Sequence, residues 1–250
     1  MAKIRQLALT TCLAGMLAVS LAVRADDYRS ELTAFVDHLS LDADVSPDDA
    51  NVFGAQYAWY FKPVKTDGLP LAEAAYLNRS SFVGGGVTFA DFGDDDFDAL
   101  NAEVDYYLPN TMFFGRLTAT HSDEDFVDDN TLIGGAIGIT PMAGMLITTS
   151  FDEHGWDPNV TARYVGKMGN SHWYAGTVSF VDPDDDDVSV GVDFDYYLDH
   201  TFSVGAGFAT GNDAFQVRAR KFFTNRFAVG GHISTSDDGD GFGADVSWRF

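Results

Sequence analysis

From about residue 31 to the end, the sequence runs in stretches of about ten residues in which apolar side chains alternate with polar or small ones. This is the period of a β-strand with two unlike faces. In Val188–Leu198, residues Val188, Val190, Val192, Phe194, Tyr196 and Leu198 share one face, and Ser189, Gly191, Asp193, Asp195 and Tyr197 share the other. The last run repeats the pattern, with Phe242, Ala244, Val246, Trp248 and Phe250 set against Gly243, Asp245, Ser247 and Arg249. A soluble β-sandwich also alternates, so the architecture rests on what joins the runs.

The connections are of two kinds, and they take turns. One kind is short and nearly uncharged: Pro109–Thr111, Pro141–Gly144, Gly169–Ser171, Asp199–Thr201 and Thr224–Arg226. The other kind is acidic: 42–50, 91–98, 123–129, 152–157, 182–187, 211–213 and 237–240. Those seven loops hold 26 of the 38 acids and no Lys or Arg. Short turns at one end and longer loops at the other are the topology of an outer-membrane barrel. A soluble sheet has no reason to sort charge by end.

Aromatic residues point the same way. Tyr106, Tyr107, Phe113, Phe114, Trp173, Tyr174, Tyr196, Tyr197, Phe202, Phe222, Phe223 and Phe227 flank the short turns, and Trp59, Tyr60 and Phe61 fit the same level. They read as a belt at the periplasmic interface, with a looser outer belt of Phe53, Phe89, Phe151, Phe180, Phe208, Phe215 and Phe242. No run of about eighteen apolar residues follows residue 25, so a spanning helix is not expected. The expected fold is all-β: a transmembrane, antiparallel, up-and-down barrel of about fourteen strands, with twelve or sixteen open. An even count puts both chain ends on the periplasmic side, and closure removes the sheet edges a bilayer does not tolerate. In the first run, Phe35 and Val36 compete for the lipid face.

The beginning of the chain reads as a secretory signal: Lys3 and Arg5, an apolar stretch from Leu7 to Val23, then Val23-Arg24-Ala25 before two aspartates. Residues 1–25 are the expected signal peptide and 26–250 the barrel domain, exported by the general secretory route to the Gram-negative outer membrane. The single cysteine, Cys12, lies in the signal, which excludes disulfides and thiolate chemistry in the exported chain. The net charge of −23 becomes more negative once Lys3, Arg5 and Arg24 are removed, which excludes nucleic-acid backbones as partners.

One connection breaks the alternation: Lys62–Ser80 is on the short-turn side and far too long for a turn. Pro70 followed by "LAEAAYLN" reads as a two-turn helix with proline near its start. The stretch "YAWYFKPVKTDGLPLAEAAYLNRSSFVGGG", Tyr57 to Gly86, resembles the general bacterial porins of Gram-negative outer membranes. In that family an aromatic strand ending in a "PV" step precedes a "PLAEAAFLNRSS"-like segment and a glycine-rich strand. The resemblance implies an outer-membrane channel and brings no catalytic residues. Trp248 and Phe250, on one face of the last run, resemble the C-terminal strand signal read by the barrel assembly machinery.

The expected pore-lining residues are Glu103, Asp105, Arg116, Arg163, Lys167, Asp193, Asp195, Arg218, Arg220, Asp245 and Arg249. Two roles are open to them: a field across a constriction, or salt bridges between neighbouring strands such as Asp105 with Arg116. The expected acidic extracellular mouth comprises Asp94, Asp95, Asp96, Asp184, Asp185, Asp186, Asp187, Asp237 and Asp238. "DPDDDD" at 182–187 lacks the glycine and distal glutamate of a calcium loop, so no metal site or cofactor is expected, beyond Ca²⁺ or Mg²⁺ held loosely at the acidic loops. His232 reads as a polar filler of the lumen.

The functional expectation is passive diffusion of small hydrophilic solutes or ions. The alternative is a closed structural or surface-display barrel that binds divalent cations and lipopolysaccharide, with Lys62–Ser80 folded in as a plug. A protease or lipase is the third reading, on His121-Ser122-Asp123 and on His154 with Asp152 and Glu153, but neither spacing meets the geometry such chemistry needs. The expected partners are outer-membrane lipid, lipopolysaccharide, periplasmic chaperones and the barrel assembly machinery. A monomer is expected, since no external loop is long enough to fold inward as in trimeric porins.

Overall fold

A computed structural model describes residues 27–41, 49–92, 96–124, 127–152, 159–169, 172–181, 188–237 and 239–250. The expected signal peptide, most of the acidic loops and His154 lie outside the described residues. Fourteen strands form one closed antiparallel barrel in which each pairs with its neighbours in sequence and β1 pairs with β14. They are β1 (Tyr28–Leu41), β2 (Asp49–Val64), β3 (Phe82–Asp91), β4 (Asp96–Tyr107), β5 (Phe113–Glu124), β6 (Val127–Ile139) and β7 (Met145–Asp152). Then come β8 (Val160–Met168), β9 (His172–Val181), β10 (Ser189–Asp199), β11 (Phe202–Ala209), β12 (Ala214–Thr224), β13 (Phe227–Ser236) and β14 (Gly239–Arg249).

The barrel is inside out relative to a soluble β-protein. Val192, Phe194, Phe242, Val246 and Trp248 face outward, and about half of each of these side chains is exposed. Their alternates Asp193, Asp195 and Arg249 point into the lumen, where they meet other charged groups. Lipid solvates the first set, so the two-residue alternation largely decides which side chains face out. In β1 the competition resolves in favour of Val36, which faces out. Phe35 points in, over Gly54 of β2, where any Cβ would strike its ring.

The aromatic belt expected at the periplasmic interface is only half there. Phe61, Tyr106, Phe113, Phe223 and Trp248 are exposed on the outer surface. Tyr60, Phe114, Tyr197 and Phe222 are buried on the inner face. Successive strand residues point to opposite faces, so each aromatic doublet divides between lipid and lumen. The inward members form a floor, and residues 65–81 lie on it.

This connector between β2 and β3 contains a 3₁₀ turn (Leu71–Glu73) and a single helical turn (Ala74–Leu77), shorter than the two turns expected. It is folded into the periplasmic end of the barrel. Ala74 packs with Tyr28, Tyr60 and Val64; Leu71 with Phe222 and Ala228; Ala72, Tyr76 and Leu77 with Val165, Ala175 and Tyr197. In a ring of fourteen, β9 stands opposite β2, so a segment leaving β2 and touching β8, β9 and β10 has crossed the lumen.

Candidate functional site

The connector is held by polar contacts at its far side. Glu73, almost wholly buried, accepts hydrogen bonds at Oε1 from Arg163 Nη2 on β8 (2.6 Å) and from the Tyr197 hydroxyl on β10 (2.5 Å). The backbone N–H of Leu71 donates to the His200 carbonyl (2.8 Å), and Arg249 Nη1 donates to the Leu71 carbonyl (3.0 Å). The Tyr76 hydroxyl lies 3.1 Å from the Gly144 carbonyl and 3.0 Å from that of Arg163. Burial, and then the nearby Tyr107, push the Tyr76 phenol far above its ordinary range, so it stays a donor.

Facing the connector, the wall from β10 round to β1 carries a ladder of ion pairs. Arg218 donates from Nε and Nη2 to both oxygens of Asp195 (2.9 Å each) and from Nη1 to Asp193 (2.6 Å). Arg220 donates to Asp245 (2.8 Å). Arg249 pairs with Glu31 on the neighbouring strand, its guanidinium lying between the rings of Tyr28 and Phe222. His232 Nε2 approaches Asp37 Oδ1 at 3.5 Å. On the opposite wall Arg116 forms a two-toothed pair with Asp105, both bonds 2.6 Å.

The register explains how several of these pairs form. Asp195 and Arg218 are on β10 and β12, two strands apart, and the residue between them in the same row is Gly205. Arg220 and Asp245 are likewise separated by Gly230, and Asp37 and His232 by Gly243. A Cβ on Gly205 or Gly230 would sit on the carboxylate, and one on Gly243 would strike Asp37. Glycine thus lets an acid reach across an intervening strand. Among the luminal ion pairs of the described residues, Asp105–Arg116 and Glu31–Arg249 join neighbouring strands. Asp193, Asp195, Arg218, Arg220 and Asp245 instead pair across an intervening strand, a longer reach than the neighbour pairing that was one of the two roles open to them.

The structure therefore gathers Asp193, Asp195, Arg218, Arg220, Asp245 and Arg249 along one wall and sets Asp105 with Arg116 on the other. Glu103 lines a separate pocket of about 120 Å³ with Glu31, Gln56 and Asn101. Arg163 points to the connector, and Lys167 sits at the periplasmic lip over the Trp173 ring. Glu31, Asp37, Glu73 and Tyr197 belong to the site and were missed as members of it. The signal for Glu73 was a lone acid inside the apolar "PLAEAAYL". Between the connector and the ladder lies a cavity of about 330 Å³, bounded by Glu73 on one side and Asp195, Arg218, Arg220, His232 and Asp245 on the other. It is a charged cavity in which both signs are present and mostly paired.

At the other end, Asp96 opens β4 and Asp237 follows β13, both exposed. Asp94, Asp95, Asp184, Asp185, Asp186, Asp187 and Asp238 lie outside the described residues. His121 hydrogen-bonds Thr131 on the next strand, while Ser122 points to the other face of β5, so that trio is not a catalytic unit. Among the described residues no group of acids, histidines or cysteines could hold a metal ion.

An apolar outer surface, a paired charged lumen and a segment narrowing one end define a channel barrel of the outer membrane. Residues 1–157 match the family described as "Putative general bacterial porin", and the chain belongs to that family. It is an outer-membrane porin, a channel for solute diffusion, and this membership does not favour the closed display barrel. No curated protein sequence matches it. The crystal structure of the Acinetobacter baumannii outer membrane protein Omp33 superposes with a TM-score of 0.73 at 21% identity, over 91% of this chain and 100% of that one. That likeness is one of fold. KdgM porin in complex with disordered oligogalacturonate gives a TM-score of 0.47 at 7% identity (88% and 99% covered). A Rhodopseudomonas blastica porin gives 0.45 at 10% identity (89% and 99% covered).

Proposed function

We propose that the protein passes small hydrophilic solutes or ions passively and without catalysis, along the passage between the connector and the ion-pair ladder. The observation that carries this reading is the cavity of about 330 Å³ between Glu73 and the Arg218–Arg220 wall, lined by polar and charged side chains beside the connector. Fixed charges held in pairs leave polar surface for a hydrated solute without a deep well in which one ion would stay. The non-catalytic reading is supported by the porin family match and by the strand geometry that separates His121 from Ser122. Export through the general secretory route rests on the leader at 1–25, and assembly on Trp248 and Phe250. The acidic loops would concentrate cations at the mouth and attract Ca²⁺ or Mg²⁺ from the lipopolysaccharide layer.

The test is single-channel conductance in planar bilayers, comparing the wild type with Arg218→Gln/Arg220→Gln. Widening the passage and unbalancing its charge should raise unit conductance and shift reversal potential toward cations. Unchanged unit conductance and reversal potential in a correctly folded variant would remove this passage as the conducting path.

A further inference from the structure

A second cavity, about 620 Å³, lies at the periplasmic lip, between the ends of the connector and the β4–β5 turn. Lys62, Lys65 and Arg79 line it, and no acid does. In a chain of net charge −23 this is unusual. Most luminal arginines have a carboxylate partner, whereas Lys62, Lys65 and Arg79 form no ion pair with any described residue. Arg29, which donates to the Phe61 carbonyl, adds a fourth cation beside the groove. Arg79 also has a backbone φ of 50°, at the end of the helical turn, where glycine or asparagine is the ordinary residue. Strain of this kind persists where the surrounding structure holds the residue in place. Here Arg79 N–H donates to the Tyr76 carbonyl and Ser80 N–H to that of Ala75.

The outer wall of the same groove is apolar. Phe61 and Tyr106 stand 6.4 Å apart between ring centroids, and Leu108 continues the wall. These side chains are exposed on the lipid-facing surface, as are Met112 and Phe113 beyond them. The groove therefore presents cations on the aqueous side and rings and aliphatic carbon on the membrane side, at the depth where amphipathic rings mark the interface. A free anion would use only half of it. We infer that this groove binds an anionic phospholipid of the inner leaflet, its phosphate among Lys62, Lys65 and Arg79 and its acyl chains along Phe61, Tyr106 and Leu108. Clustered bases beside a membrane-spanning surface recognise such headgroups by charge. With the acidic loops at the opposite end, the barrel would hold lipopolysaccharide through divalent cations outside and phospholipid directly inside.

Native mass spectrometry of the folded porin, released from an uncharged detergent, tests this with three probes: phosphatidylglycerol, phosphatidylcholine and inorganic phosphate. The wild type should retain phosphatidylglycerol at least tenfold more tightly than phosphatidylcholine. Each basic residue near an anionic lipid contributes roughly fivefold, so Lys62→Gln/Lys65→Gln/Arg79→Gln should lose on the order of a hundredfold for phosphatidylglycerol and little for phosphatidylcholine. Lys62→Glu, an exposed side chain at the end of β2, should lose preference without touching the connector, which covers the case of a misfolded triple variant. Arg226→Gln, an exposed base on another periplasmic turn, should change nothing. The proposal is overturned if Lys62→Glu and the triple variant keep the preference, or if Arg226→Gln abolishes it equally. It is also overturned if inorganic phosphate displaces the lipid at matching concentration, which would make the groove a free-phosphate site.

Discussion

Replacing Glu73 with alanine tests whether the connector sets the width of the channel. The carboxylate is buried and accepts from Arg163 and Tyr197. Breaking a fully buried charged pair costs about 3–5 kcal/mol, but the Arg163 side chain is 37% exposed and regains water, so about 2–3 kcal/mol is the fitting figure. The buried Tyr197 hydroxyl loses its acceptor, which adds about 1 kcal/mol. At about 1.4 kcal/mol per tenfold, the total shifts the balance between docked and released connector by a factor on the order of 100 to 1,000. Release is still opposed by the burial of Leu71 and by its hydrogen bonds to His200 and Arg249. The variant should therefore remain mostly docked and make transitions to a wider level far more often than the wild type. Glu73→Gln, which keeps the acceptor and loses the charge, should fall between. Glu73 has no part in the strand pairing, so the shift in gel mobility between boiled and unboiled protein should be unchanged. Single-channel recording reads the transitions. A folded Glu73→Ala protein with the wild-type distribution of conductance levels would refute the role given to this residue.

Other perturbations probe the wall, the register and the mouth. Gly230→Val should push Asp245 away from Arg220 and lower the temperature at which the unboiled band is lost, whereas Gly231→Val, with more room, should do so far less. Val192→Arg should cost roughly 2–4 kcal/mol near the midplane by denaturant titration. Single cysteines at Gly191 and Asp193 should react with a water-soluble thiol reagent, and those at Val190, Val192 and Phe194 should not; the reverse result would put the register one residue off. Cation preference should be clear in dilute salt and fade at molar salt, since screening shortens from about 8 Å at physiological salt to about 3 Å at 1 M. Neutralising Asp184–Asp187 should weaken only the dilute-salt preference, and anion preference in dilute KCl would assign selectivity to the luminal arginines.

The barrel was legible because two periodicities agree in the sequence: alternation along each strand and acidic loops at every second connection. Phe35 against Val36 could not be settled by hydrophobicity, since both are apolar; the space over Gly54 decides it. Doublets such as Tyr106-Tyr107, Tyr196-Tyr197 and Phe222-Phe223 look alike in sequence, yet one member of each meets lipid and the other the interior. Neighbouring charges were read correctly for Asp105 and Arg116, directly opposed on adjacent strands. The pairs over Gly205 and Gly230 were not, because a glycine shelf is a property of three strands in register. Glu73 was hidden for a related reason: its partners are 90 and 124 residues away in the chain.

That separation also ties docking of the connector to closure of the barrel. The connector's near contacts, Ala74 with Tyr28, Tyr60 and Val64, use only the first two strands and are available early. Its far contacts wait for β8, β10, the turn at His200, β13 and finally Arg249, the last residue of β14. Contacts so far apart in sequence carry a loop-closure cost that the intervening strand pairing lowers. The seating of Leu71 beneath Arg249 therefore requires β14 to be in place beside β1. Closure of the sheet and full docking of the connector thus depend on the same strand.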